Sequence, residues 1–106
     1  MGALTRDAIL FAPDLTLEPI EVPEWGGTVH LRVMNGATML KLSELPKADF
    51  TGALLVHTLC DADGKLLFAP EDVEQVMNKN HAVLQRLIVA AIRINSLDPA
   101  AAEKKF

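Results

Sequence analysis

Two side chains in the middle of the sequence could do covalent or metal chemistry. His57 and Cys60 are three residues apart, so on a helix they would share one face and could form a thiolate–imidazole pair or half of a metal site. A zinc site needs four ligands, and the other two histidines, His30 and His81, show no second paired spacing. A thiol enzyme also needs an oxyanion site, and no glycine-rich turn precedes a helix here. Because cysteine is among the residue types most often buried, the sequence favours a core thiol and predicts no catalytic residue.

The segment Asp61-Ala62-Asp63-Gly64 has the composition of a calcium loop but not its spacing. If the glycine stands at position 6 of an EF-hand loop, Leu59 falls at position 1 and Pro70 at position 12, where acidic ligands are required. The segment therefore predicts a polar turn. We expect neither a metal site nor a cofactor.

A β-hairpin that carries the only tryptophan is predicted upstream of these residues. Apolar and polar residues alternate on both sides of the segment 23–27 (Pro-Glu-Trp-Gly-Gly), which predicts two half-buried strands over about residues 18–34. Pro23 confines the first strand to a sheet edge because proline lacks the N–H that a ladder needs, and the two glycines supply the positive φ angles of a tight turn. We expect Trp25 at one end of the sheet, where it and Val22 are candidate partner-binding residues.

A short helix precedes the hairpin, and a predominantly α-helical body follows it, so the predicted fold is α+β within one domain, residues 1–106. The first helix spans Leu4–Leu10, with Thr5 as its cap. The helical part covers about residues 49–105. Its helices are expected to begin at Ala48 or Asp49, at Pro70, at Asn80 and at Asp98-Pro99. The helix that begins at Ala48 or Asp49 is expected to run through Cys60 and to be central, because it is apolar almost all round. The apolar residues within 36–50 do not define a clear helical register, so the structure of this segment is left open.

The long helix predicted over His81–Ser96 has an apolar arc wider than one helix contact usually covers. At about 100° per residue, Leu87 and Ile88 cluster on one side, Ile92 widens the arc, and Val89 falls on the polar face. Either the helix is sandwiched in the core or part of it meets another chain. These four residues are therefore candidates for partner binding or an oligomer interface, and we expect self-association.

Composition excludes several classes of protein. The net charge of −4 is spread over the chain without a cationic cluster, which argues against nucleic-acid binding. Mean hydropathy is +0.22, yet the longest apolar stretch, residues 50–60, is well short of the roughly 20 residues that a membrane span requires. We see no secretory signal, and the single cysteine suits a reducing cytoplasm.

Five motifs in a fixed order carry a family resemblance. They are Thr-Arg-Asp-Ala-Ile-Leu at 5–10, Glu-Val-Pro-Glu-Trp-Gly-Gly-Thr-Val at 21–29, Leu-Cys-Asp-Ala-Asp-Gly at 59–64 before Leu67-Phe68, Glu-Asp-Val at 71–73, and Leu-Gln-Arg-Leu at 84–87 through Arg-Ile-Asn at 93–95. Together they resemble the tail assembly chaperones of lambda-like long-tailed phages and prophages, almost end to end. The chain departs from the family at residues 36–50, which look shorter and less charged, and at Ala69, where a capping Ser or Thr is usual.

The resemblance implies a non-enzymatic assembly factor. Such a protein binds the tape measure protein, keeps it soluble, helps recruit tail tube subunits, works in the cytoplasm of the bacterial host and is absent from the mature virion. The resemblance also implies self-association into oligomers and, in many members, a longer frameshifted form. Two alternatives stay open: a structural phage component such as a head-tail adaptor, and a small thiol-dependent enzyme built on Cys60 and His57.

Overall fold

A computed structural model describes residues 2–97 of the chain, and within them the fold is α+β, as predicted. These residues form five helices and a three-stranded antiparallel sheet. The order is α1 (Arg6–Leu10), β1 (Leu17–Val22), a 3₁₀ turn (Pro23–Trp25), β2 (Gly27–Arg32), α2 (Gly36–Ser43), α3 (Lys47–Val56), β3 (Leu59–Cys60), a second 3₁₀ turn (Pro70–Asp72), α4 (Val73–Met77) and α5 (His81–Ile94). The final helix expected from Asp98-Pro99 lies outside the described residues.

The hairpin of β1 and β2 forms two-thirds of the sheet, whose strand order is β1-β2-β3. Strand β1 is an edge strand, as expected, and it also contains Pro19. The connection differs from the prediction. It is a 3₁₀ turn closed by a hydrogen bond of 3.0 Å from the N–H of Gly26 to the carbonyl of Pro23. Of the two turn glycines, only Gly26 has a positive φ, of 78°, because Gly27 already pairs with Val22 as the first residue of β2.

The central helix is shorter than predicted: α3 ends at Val56 and does not reach Cys60. The next residues turn the chain, and Leu59 and Cys60 form β3, which pairs with Leu31 and His30 of β2. An apolar run of this kind reads equally as helix or buried strand, and here the free edge of β2 decides in favour of a strand. His57 and Cys60 therefore do not share a helix face.

Side-chain caps begin most of the helices. Thr5 accepts a hydrogen bond from the N–H of Ala8 in α1, and Asn80 accepts from Ala82 and Val83 in α5, as predicted. Residues 36–46, which had no clear register, form α2 with Asn35 as its cap, followed by a turn to Pro46. Proline fits this position because α3 starts at the next residue.

Helix α5 lies in the core, in contact with α3 and with both β1 and β2. Its apolar arc is wide because it covers several neighbours at once, and the residues it buries are Val83, Leu84, Leu87, Ile88, Ala90, Ala91 and Ile92. Two ion pairs align the hairpin along α5: Arg93 binds Glu18 near the start of β1, and Arg86 binds Glu24 at the hairpin tip. No helix within residues 2–97 is both long and apolar enough to cross a membrane.

Candidate partner-binding surface

The structure separates the six candidate interface residues into two groups. Four are buried in the core of the chain, with at most 5% of their surface exposed: Val22, Leu87, Ile88 and Ile92. Trp25 is partly buried at the hairpin tip, and Val89 is 57% exposed on the outer side of α5. Only these two are available to a partner without unfolding the chain.

Trp25 forms one side of an apolar groove of about 560 Å³ between the hairpin tip and α4. Leu59 of β3 and Val76 of α4 line the groove and are almost fully buried. Phe68, 37% exposed, is the second aromatic residue of the lining. We call this surface the Trp25 groove; its remaining lining residues are Glu24, Gln75 and Lys79.

Backbone hydrogen bonds hold both aromatic residues in place. Trp25 ends the first 3₁₀ turn, directly before Gly26 in its left-handed conformation. On the other side, the N–H of Leu67 donates to the carbonyl of Leu59 over 3.1 Å, which fixes the segment before Phe68 against β3. After Phe68, the carboxylate of Asp72 accepts from the N–H of Ala69 over 2.8 Å. Asp72 thus holds the start of the second 3₁₀ turn, where Ala69 has no side-chain acceptor.

Opposite charges flank the apolar lining of the Trp25 groove. The Nζ atom of Lys79 lies 5.9 Å from the centroid of the Trp25 ring, within cation–π range. Glu24 is an anion at neutral pH, and the hydrogen bond from Arg86 lowers the pKa of its carboxyl further. An apolar strip with a cation and an anion beside it suits a helix whose apolar face has charged flanks.

The two residues that could do chemistry, His57 and Cys60, do not line the Trp25 groove. Cys60 is buried, its Sγ lies 3.5 Å from the carbonyl oxygen of His30, and burial raises the pKa of the thiol. Burial lowers the pKa of His57, assisted by the positive charges of Lys41 and Arg32. A protonated thiol is a poor nucleophile, so this arrangement disfavours the thiol-enzyme alternative.

The segment at Asp61 is a polar turn, as predicted. The Oδ1 atom of Asp61 accepts hydrogen bonds from the N–H groups of Asp63 and Lys65, and Gly64 has a φ of 87°. These backbone N–H donors lower the pKa of the Asp61 carboxyl, and the N–H of Lys65 has the largest effect. Within residues 2–97, no cluster of three or more His, Cys, Asp or Glu side chains could hold a metal ion.

Comparison with known proteins identifies the family of the chain. The family model described as phage tail assembly chaperone matches residues 47–105, more than half of the chain. The chain belongs to the phage tail assembly chaperone family. The structure is also similar to that of the bacteriophage HK97 tail assembly chaperone, with a TM-score of 0.65 and 25% sequence identity over 82% of this chain and 94% of that one. A search of curated protein sequences found no significant match.

The family model covers only part of the Trp25 groove of this tail assembly chaperone. The matched residues start at α3 and supply most of the Trp25 groove, including Phe68 and Val76, whereas Glu24 and Trp25 come from the hairpin outside the match. Sequence reasoning found Trp25 but missed Phe68. The available signal was the apolar pair Leu67-Phe68 between the polar turn and Pro70, in a segment too short to bury both side chains.

Proposed function

We propose that this tail assembly chaperone binds the tape measure protein of its phage, keeps it soluble in the cytoplasm of the bacterial host and helps recruit tail tube subunits. It leaves the assembly before the virion is complete, and it self-associates. The Trp25 groove is the observation that carries the proposal. It is a mostly apolar surface with two partly exposed aromatic residues, on a member of a chaperone family.

A long helical protein with unpaired apolar stripes aggregates unless those stripes are covered. A groove can accept apolar side chains spaced three or four residues apart on such a helix, with the two aromatic rings supplying most of the contact area. Weak binding at one groove suffices, because further copies bind the same partner at a raised effective concentration.

Val89 provides a second contact in this proposal. It projects from the outer side of α5 beside a shallow depression of about 290 Å³ that is also lined by Ala82, Gln85 and Arg86. The depression is about half the volume of the Trp25 groove and lacks an aromatic residue, so we assign the main contact to the Trp25 groove and a supporting contact to Val89.

The test is co-expression with the tape measure protein encoded by the same phage. With the wild-type chaperone, the tape measure protein should stay soluble and co-purify; alone, it should pellet. Phe68→Ser should reduce the co-purified fraction several-fold. Leu67→Ser is the matched control, since Leu67 is a more exposed neighbour, at 53%, that does not line the groove.

Trp25 also gives a direct optical readout, because it is the only tryptophan of the chain. A tryptophan-free helical peptide from the tape measure protein should shift the Trp25 fluorescence emission to shorter wavelength, because the bound peptide excludes water from the groove. A tape measure protein that is soluble alone, or that never co-purifies, would contradict the proposed function. Equal loss of binding in Phe68→Ser and Leu67→Ser would remove the groove as its site.

A further inference from the structure

Lys79 gives the Trp25 groove a positive charge that nothing on the chain balances. The groove has two charged lining residues, and the other, Glu24, is paired with Arg86 of α5. Lys79 is exposed between α4 and α5, and it forms no ion pair within residues 2–97. Its Nζ atom lies 5.9 Å from the centroid of the Trp25 ring. The groove therefore combines an apolar lining with one uncompensated cation.

The side chain of Lys79 is free to exchange its contact with Trp25 for another. A cation at 5.9 Å from a ring centroid lies near the outer limit of a cation–π contact, and such contacts are weak at exposed sites. The backbone of Lys79 is held separately, since its N–H donates to the carbonyl of Val76 over 3.1 Å. The amine can therefore leave the ring while the residue stays at the edge of the groove.

A second concave surface extends the positive side of the groove. It has a volume of about 350 Å³, lies where α3, α4 and the start of α5 meet, and is also lined by Lys79. His81 lines it as well, and none of its described lining residues carries a carboxylate. Across the two linings, the one carboxylate among the described residues is that of Glu24, which Arg86 neutralises. A negative group that approaches Lys79 therefore meets no unpaired acid in either lining.

We propose that Lys79 makes the Trp25 groove select partner helices that carry a carboxylate one helical turn from the apolar residue packed on Trp25. The inference rests on the proposed function and specifies the chemistry of the helix that the groove accepts. The spacing supports it, because residues three or four positions apart on a helix have Cβ atoms about 5–6 Å apart. The Trp25 ring centroid and the Nζ atom of Lys79 are separated by 5.9 Å. One apolar and one acidic residue on the same helix face thus reach both groups at once.

Binding replaces one contact of Lys79 by a stronger one. The apolar side chain of the partner covers the Trp25 ring, and the amine of Lys79 moves from the ring to the partner's carboxylate. An exposed ion pair of this kind changes affinity by only about two- to fivefold. A like charge at the same position lowers affinity by a similar factor. An acidic residue should therefore be preferred over a basic one on the order of tenfold.

Three designed helical peptides test this preference directly. They contain no tryptophan, share one short stripe of leucines, and differ at the position four residues after the central leucine, which is Glu, Gln or Lys. Binding is followed by the fluorescence of Trp25, the only tryptophan of the chain. The wild type should bind the Glu peptide roughly threefold more tightly than the Gln peptide, and about tenfold more tightly than the Lys peptide.

Variants of Lys79 separate charge selection from a structural role. Lys79→Glu should reverse the order of the three peptides, and Lys79→Met should remove the preference. Because Lys79 is exposed, both variants should keep the circular dichroism spectrum of the wild type. Lys41→Glu is the matched control: it makes the same charge change at an exposed lysine of α2 outside the groove, and it should keep the wild-type order. Higher ionic strength should weaken the preference, since exposed charges are screened.

Three results would overturn the inference: a wild type that binds the three peptides equally tightly, a wild type that binds none of them, or a Lys79→Glu variant that keeps the wild-type order. The co-purification assay with the tape measure protein is separate from these outcomes. If the tape measure protein never co-purifies while the peptides show the expected order and its reversal, the proposed function is refuted and the charge selection by Lys79 stands.

Discussion

Substitution of Gly52 by alanine tests the packing between α3 and α4. Gly52 is buried in α3, and a Cβ atom at this position would lie 2.5 Å from Cγ1 of Val73 and 3.3 Å from Cγ of Met77. The contact with Met77 can relax because that side chain is flexible, but the branched Val73 side chain is stiff. We expect Gly52→Ala to push α4 away from α3.

The expected magnitude is the difference between two opposing effects. Overpacking a tight core contact costs about 1–3 kcal/mol, whereas replacing a glycine inside a helix by alanine stabilises it by about 1 kcal/mol. The net effect should be a destabilisation of about 1 kcal/mol. For a domain of about this size, that lowers Tm by roughly 4–8 °C. Because α4 carries Val76, which lines the Trp25 groove, this groove should also be disturbed.

Thermal and urea unfolding of four proteins would measure this effect: the wild type, Gly52→Ala, Val73→Ala and the double variant. Val73→Ala removes the Cγ1 atom that causes the clash. In that background, Gly52→Ala should therefore stabilise the protein by up to about 1 kcal/mol, the gain expected from helix propensity alone. The effect of Gly52→Ala on the free energy of unfolding should therefore change sign between the wild-type and the Val73→Ala backgrounds. If Gly52→Ala raises Tm in the wild-type background, the close approach of α3 and α4 is refuted.

Three further predictions follow from burial. Ile92→Glu should destabilise the fold by more than about 3 kcal/mol in urea because Ile92 is 5% exposed, whereas Val89→Glu should leave stability within about 0.5 kcal/mol; equal effects would contradict their placement. The folded state holds the pKa of His57 below its ordinary value, so the unfolded chain binds the proton more tightly and stability should rise from pH 5 to pH 7. His57→Gln should flatten that rise, and an unchanged slope would count against it. Cys60 should react with a thiol reagent only as fast as the protein unfolds, and Cys60→Ala/His57→Gln should still co-purify with the tape measure protein, unless the thiol has a function of its own.

Much of the local structure could be read from short segments of sequence. The caps at Thr5 and Asn80, the turn at Gly64 and the alternation in the hairpin each depend on residues within a few positions of one another. The turn that begins at Pro70 and leads into α4 at Val73 was equally visible, since proline is favoured in a first helical turn. These signals are local because each of them satisfies a backbone donor, or sets a φ angle, within one turn of chain.

The candidate site was only partly predictable because its residues are distant from one another in the sequence. Trp25 was identified because it is the single tryptophan and lies in a turn, but the groove it lines also needs Leu59, Phe68 and Val76. These residues lie 34–51 positions further along the sequence. Only the packing of β3 and α4 against the hairpin tip brings them together.

The apolar pattern alone thus predicted the hairpin, the long helix after Asn80 and the α+β class. Tertiary structure decided that Leu59 and Cys60 form a strand, because the free edge of β2 needed a partner. It also decided that the apolar arc of α5 is internal, because that helix contacts both α3 and the sheet, and that Val89 stays outside. Periodicity shows that a face is buried, but which neighbour covers it depends on the packing of elements distant in sequence.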